Sequence, residues 1–264
     1  YYEGYRLYLH YGYEKAEAID KDKGWRVRFT PNQVGTWHFT LHAIDKKGYT
    51  NLSSYGARDF VFNCDTVKTA SGFITKANSK YLKREVVIDG QKTSRSFFPI
   101  GPNLPYYNCK SYYDFSTPLG IYEYERRIDS LSGNANYFRL FINRPQALSL
   151  YGAEFTQMVH GKPVVYFDNR INQKDAAELD HIINYAALNG LSVIPCIFTY
   201  PDLKNNPEYD NNLDKHPDDW RCNPFHTQLG LKSNEDFFTD NESIRITRNL
   251  IRYVVARWGY ATNI

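Results

Sequence analysis

From Ser96 onward, short apolar runs alternate with stretches whose apolar residues recur at helical spacing, a pattern that predicts successive strand–helix units. Ser96–Asn103 is a short apolar run closed by Gly and Pro, as buried parallel strands often are. Thr117–Pro118 predicts a helix start, because Pro at the first helical position gives up no hydrogen bond. Ile121, Tyr124, Ile128 and Leu131 follow before Gly133 stops the run. Tyr137–Ile142 is a second strand. A second helix starts near Asn172, with Asp175 three residues on, and carries Ala176, Leu179, Ile183 and Ala186 on one face up to Gly190. Leu191–Phe198 is a third strand. A third helix opens with Thr239 and Glu242 as a capping box, runs Ile251, Val254, Val255 and Trp258 down one side and ends at Gly259. A fourth strand begins at about Tyr260.

Strands and helices in this alternation predict a parallel sheet, since right-handed crossovers place helices over its faces. Pattern alone does not separate an open sheet from a closed barrel. A complete eight-unit barrel takes about 250 residues, and Ser96–Ile264 holds three full units. The expectation is therefore an unfinished (β/α)8 barrel in a truncated chain, with a small open sheet as the alternative.

The earlier part of the chain has a different texture. Trp25–Phe29 and Thr36–Leu41 alternate at period two and read as antiparallel strands, joined by the turn-rich segment Thr30–Gly35. Asp45–Gly48 supplies another turn before a strand around Asp59–Phe62. The domain expectation is an incomplete β-sandwich over 1–66, a linker and β-hairpin over 67–95, and barrel over 96–264.

Composition narrows the function classes. Hydrophobic content is 42%, and no apolar stretch reaches the roughly twenty residues of a membrane span. The formal charge of +3 comes from scattered Lys and Arg, with no basic run and no zinc-finger spacing, so nucleic-acid binding has little support. Aromatic content of 16%, dominated by Tyr, fits β propensity and core packing, with part left for stacking against sugars. Cys64, Cys109, Cys196 and Cys222 lack metal-ligand spacing, so neither a metal nor a cofactor is expected. Cys109 and Cys222 both follow predicted barrel strands, and a disulfide between them is left open.

Gly72–Thr75, Tyr81–Leu82, Asp89–Gly90 and Phe97–Asn103, together with Trp25–Pro31, Gly35–Trp37 and Asn136–Leu140, resemble clan A-type glycoside hydrolase barrels preceded by an N-terminal β-sandwich domain. The resemblance implies a retaining O-glycosyl hydrolase acting on a polysaccharide or oligosaccharide. Its acid/base carboxylate would follow strand four and its nucleophile strand seven. Retention needs the two carboxyls about 5 Å apart. Neither position falls within this sequence, so it is expected to be an inactive N-terminal fragment of a secreted, periplasmic or extracellular enzyme. The alternative is a non-catalytic carbohydrate-binding or structural protein.

Site candidates follow from the rule that barrel ligands sit at the carboxyl ends of strands. Asn103 ends strand one, where its amide could meet sugar hydroxyls or merely form a turn. The resemblance places Arg139 in support of the nucleophile, holding it ionised through charge-assisted hydrogen bonds; a structural ion pair is the competing reading. Asn143 and Arg144 follow strand two. The loop Thr199–Phe238 is long enough to be functional and offers Tyr200, Trp220, Asn223 and His226. Trp220 either stacks on a sugar or anchors the loop, and Tyr106 and Tyr107 pose the same choice after strand one. Glu154, Asp168, Asp202, Asp218 and Asp219 are loop acids, read as solvated rather than catalytic. An unclosed barrel would leave a sheet edge and apolar helix faces, which predicts self-association.

Overall fold

The computed structural model describes the chain apart from residues 2, 4, 11–12, 20–23, 53–59, 105–120, 143–147, 149, 152–154, 160–161, 167–170 and 205–219. For residues 5–10, 13–18, 69, 155–159, 162–166, 201 and 222 only the backbone is described. Two compact units divide it: Tyr1–Arg28 joined with Phe98–Ile264, and Phe29–Phe97.

The amino-terminal part of the first unit is an antiparallel ribbon. β1 (Tyr5–His10) pairs with β2 (Tyr13–Ala18), and the start of the chain is bonded to residues 24–26, Glu3 N donating to Gly24 O at 2.7 Å and Arg26 N to Tyr1 O at 3.0 Å. Trp25–Phe29, expected as a strand from its period-two alternation, carries only a bridge at Trp25 and is otherwise irregular. Trp25 and Val27 are 73% and 77% exposed, while Arg26 pairs with Glu3 at 2.8 Å and Arg28 with Asp180 at 2.7 Å. Charge pairing, rather than apolar burial, sets which side chains of this segment turn in.

The second unit is built of small antiparallel sheets. β3 (Gly35–His38) pairs with β6 (Val61–Cys64), and β4 (His42–Asp45) with β5 (Gly48–Asn51). The predicted turn at Asp45–Gly48 is present, with Lys47 N donating to Asp45 Oδ1 at 2.7 Å. β7 (Thr69–Lys76), β8 (Leu82–Ile88) and β9 (Gln91–Phe97) form a meander. Trp37 stacks on Phe62 at 6.3 Å, and Phe29 meets Trp37 edge-on at 5.1 Å.

The remainder of the first unit carries the parallel array. Its elements are α1 (Ile121–Leu131), β10 (Tyr137–Phe141), the hairpin β11 (Phe155–Val159) with β12 (Lys162–Tyr166), α2 (Gln173–Leu188), β13 (Ser192–Cys196), the short α3 (Pro224–Thr227) and α4 (Asn241–Trp258). β10 and β13 are parallel, with Tyr137 opposite Ser192 and Phe141 opposite Cys196. On the far side of β10 the predicted first strand lies alongside in parallel. Asn136 N donates to Ile100 O at 2.9 Å, Arg139 N to Pro102 O at 3.2 Å and Leu104 N to Arg139 O at 2.8 Å. Gly101 allows this approach, because a Cβ there would stand 1.7 Å from Tyr137 O. On the far side of β13, Val193 N donates to Asn263 O at 2.7 Å. The three strand segments thus lie side by side in chain order, and residues 260–264, where a fourth strand was expected, form turns against the far edge.

The helices keep the same order. α1 meets α2 through Glu125 with His181 and Asp129 with Tyr185, each at 2.7 Å. α2 meets α4 through Asp180 with Arg257 at 2.7 Å and Gln173 with Tyr253 at 3.1 Å. Phe138, Leu140 and Val193 are buried in one core with Ile121, Tyr124, Ile128, Leu179, Ile183, Leu250 and Trp258.

Local signals account for most of these boundaries. Asn172 caps α2 by accepting from Lys174 N and Asp175 N, and its predicted face of Ala176, Leu179, Ile183 and Ala186 is buried. The predicted α1 start at Thr117–Pro118 lies outside the described residues. α4 departs from expectation in two respects. Its cap is Asp240, which accepts from Ser243 N at 2.8 Å, rather than Thr239, while Glu242 is drawn into an ion pair with Arg245. Its inward face is Ser243, Ile246, Leu250, Arg257 and Trp258, leaving Ile251 and Val255 exposed. Arg257 displaces the expected aliphatics because Asp180 waits opposite it. No described helix is long and apolar enough to cross a membrane.

Candidate functional site

Burial alternates along β10. Phe138 and Leu140 face the helices, whereas Tyr137, Arg139 and Phe141 stay half-exposed on the opposite face of the sheet. In β13, Ile194 and Cys196 are likewise left partly exposed, Ile194 at 47%. Near the carboxyl ends of these strands, Asn103 forms a parallel bridge with Arg139, so two residues predicted separately are brought side by side. The Arg139 Nε donates to Cys196 Sγ at 2.8 Å, and its guanidinium lies 5.1 Å from the Phe141 ring centroid. Among the described residues no carboxylate pairs with Arg139. The Cys196 contact was not foreseen: Arg139 lies opposite Ile194 and Cys196 opposite Phe141, so the guanidinium reaches diagonally to a residue two places further along the neighbouring strand, on the same face of the sheet.

The chain beyond β13 forms a braced turn at the same end of the sheet. A 3-10 turn covers Tyr200–Leu203. The buried Asp202 carboxylate accepts from Thr199 N at 2.5 Å and Thr199 Oγ1 at 2.7 Å, which makes it a structural clamp and not a solvated acid. Asn223 Nδ2 donates to Asp202 O at 2.7 Å, Asn234 Nδ2 to Leu203 O at 2.7 Å and Trp220 N to Lys204 O at 2.9 Å. From this turn Tyr200 projects at 74% exposure, with Lys204 Nζ 5.5 Å from its ring centroid.

The other loop candidates are spent on structure. Trp220 is 1% exposed and packs beside His226 at 5.9 Å, so its ring has no free face. Asn223 caps α3 by accepting from Phe225 N, and His226 Nδ1 lies 2.6 Å from Leu231 O. Tyr106, Tyr107, Asn143, Arg144, Glu154, Asp168, Asp218, Asp219 and Cys109 lie outside the described residues, and so does the Cys222 side chain; the open disulfide falls with them. Cys64 and Cys196 are free thiols. Among the described residues there is no group of three or more His, Cys, Asp or Glu placed to hold a metal ion.

No protein-family model and no curated protein matches the chain. Among solved structures it is similar to a candidate glycoside hydrolase from Bacteroides vulgatus ATCC 8482, at 17% identity and a TM-score of 0.54, over 97% of this chain and 42% of that one. A likeness at this identity concerns the fold. The chain spans less than half the length of that relative in structure.

Proposed function

We propose that this chain is part of a glycoside hydrolase, supplying the first strands of a (β/α)8 barrel and the flanking β-domain, and that it contributes sugar-binding groups rather than the catalytic carboxylates. The observation that carries the reading is the parallel array in chain order, with Asn103 beside Arg139 at its carboxyl end. Singly wound parallel units with their helices in the same order are what a barrel is made from, and its ligands are taken at that end. The distant fold likeness supports the same assignment. In this reading the acid/base and the nucleophile come from later strands of the same barrel, and Arg139, its guanidinium oriented by Cys196 and Phe141, completes the environment of the nucleophile when those strands are in place. The natural protein would act outside the cytoplasm on a polysaccharide or oligosaccharide.

The test is affinity electrophoresis of the chain through gels containing neutral and acidic polysaccharides, run beside a reducing-sugar assay. Retardation without hydrolysis, weakened in Asn103→Ala, is expected. Release of reducing sugar by this chain alone would overturn the placement of the carboxylates, and mobility unchanged by every polysaccharide would overturn the sugar reading itself.

A further inference from the structure

Resting on that sugar reading, we propose that Tyr200 and Lys204 form a subsite for a sugar residue that carries an anionic substituent. Three successive carbonyls, those of Asp202, Leu203 and Lys204, are each fixed by a donor from elsewhere in the unit: Asn223, Asn234 and the Trp220 backbone. The turn is therefore held in one conformation, yet the aromatic ring it presents is left in solvent at 74% exposure. An exposed ring on a pre-set backbone binds a flat apolar sugar face with little ordering cost.

Lys204 adds the charge. Its ammonium lies over the Tyr200 ring, and it forms no ion pair with a carboxylate among the described residues. The nearest described acid in the sequence, Asp202, is turned inward and consumed by Thr199. Among the described residues of its turn nothing neutralises the cation beside the platform, and a ligand carboxylate or sulfate on a sugar stacked at Tyr200 supplies a partner for it. Such a contact is electrostatic and weakens with salt. The same chemistry is offered by a uronate and by a sulfate ester, which a point-charge ammonium does not distinguish.

Affinity gels containing polygalacturonate, dextran sulfate, neutral galactan or dextran separate the possibilities. Lys204→Gln is expected to lower affinity for one or both acidic polymers by about fivefold, with neutral binding unchanged. Tyr200→Ala is expected to weaken neutral and acidic binding together. Lys232→Gln, which removes an equal charge from the exposed Lys232, is the control and should leave retardation as in the wild type. Loss of acidic binding in polygalacturonate alone assigns the uronate, and in dextran sulfate alone the sulfate ester. Equal losses in Lys204→Gln and Lys232→Gln, or an unaltered preference in Lys204→Gln, would overturn the anionic subsite while leaving the sugar reading intact. No retardation of the wild type in any gel would overturn both. Thermal melts of the variants, expected to match the wild type, show that the fold is retained.

Discussion

Arg257, with no solvent exposure, donates through Nη2 to Asp180 Oδ2 at 2.7 Å, joining α4 to α2 across the helix layer. The same carboxylate accepts from Trp258 Nε1 at 2.7 Å and from Arg28 Nη1 at 2.7 Å, so one Asp secures two helices and the amino-terminal ribbon. Burial works against the charge on both arginines, but Asp180 outweighs it and raises their pKa values above the ordinary range. Removing one partner of a buried ion pair leaves the other charge uncompensated, which typically costs about 3–5 kcal/mol. Asp180→Ala is expected to destabilise by that amount in urea unfolding. Arg28→Ala, at a partly exposed site, should cost about 1 kcal/mol. Equal losses in the two variants would show that Arg257 does not depend on Asp180.

Gly101 is the residue that lets the first strand lie against β10. Because a Cβ at this position would fall 1.7 Å from the Tyr137 carbonyl oxygen, Gly101→Ala must push the two segments apart. Asn136 strains against such a shift, since its Oδ1 accepts from Ile100 N and its Nδ2 donates to Phe98 O, each at 2.8 Å. The cost expected from overpacking is about 1–3 kcal/mol. It would be read as a lowered thermal midpoint, accompanied by faster proteolysis after residue 97. An unchanged midpoint would mean that the strand contact is not part of the folded state in solution.

Glu123 supplies a pH dependence of known sign. It is buried in α1 and receives hydrogen bonds from Arg126 Nη2 at 2.7 Å and Arg127 Nε at 2.6 Å. Burial alone would raise its pKa, but the two arginines outweigh burial and hold it below the usual carboxylate range. A folded-state pKa below the unfolded value of about 4.3 gives stabilisation that is present above that value and is lost as pH falls through the lower, folded one. Glu123→Gln should therefore flatten the decline of stability in the acid range. Parallel denaturant midpoints for the two proteins from pH 5 to pH 2 would contradict it.

What could be read from the sequence follows the strength of local signals. In α2, Asn172 and the faces at Ala176, Leu179, Ile183 and Ala186 sit where periodicity puts them, because aliphatic spacing and the cap agree. In α4 they do not agree, since Asp240 adjoins Thr239 as a rival cap and Arg257 takes an inward place that hydropathy assigns to an aliphatic side chain. No window of the sequence contains Asp180, 77 positions away from Arg257. Trp25–Phe29 departs from the expected strand, and there too long-range pairing decides which side chains turn in: Arg26 and Arg28 find carboxylates at Glu3 and Asp180. At the candidate site, sequence located the loop after the third strand but not the division of labour within it.

That division is testable through Trp220 and Tyr200, two aromatic residues of one loop that the sequence offered equally as sugar platforms. Trp220 is enclosed with Phe225, Phe237 and Leu231 in the apolar core, whereas Tyr200 stands in solvent. Truncating an enclosed indole removes its burial and leaves a cavity, so Trp220→Ala should cost about 3–5 kcal/mol. Tyr200→Ala removes little packing and should leave the unfolding midpoint nearly unchanged. Polysaccharide retardation, in the reading proposed here, reverses the ranking: Tyr200→Ala loses it, while a conservative Trp220→Phe keeps it. If Trp220→Phe abolished retardation in a protein of unchanged stability, the enclosed indole would have to reach the ligand, and the assignment of the exposed tyrosine as the platform would fall.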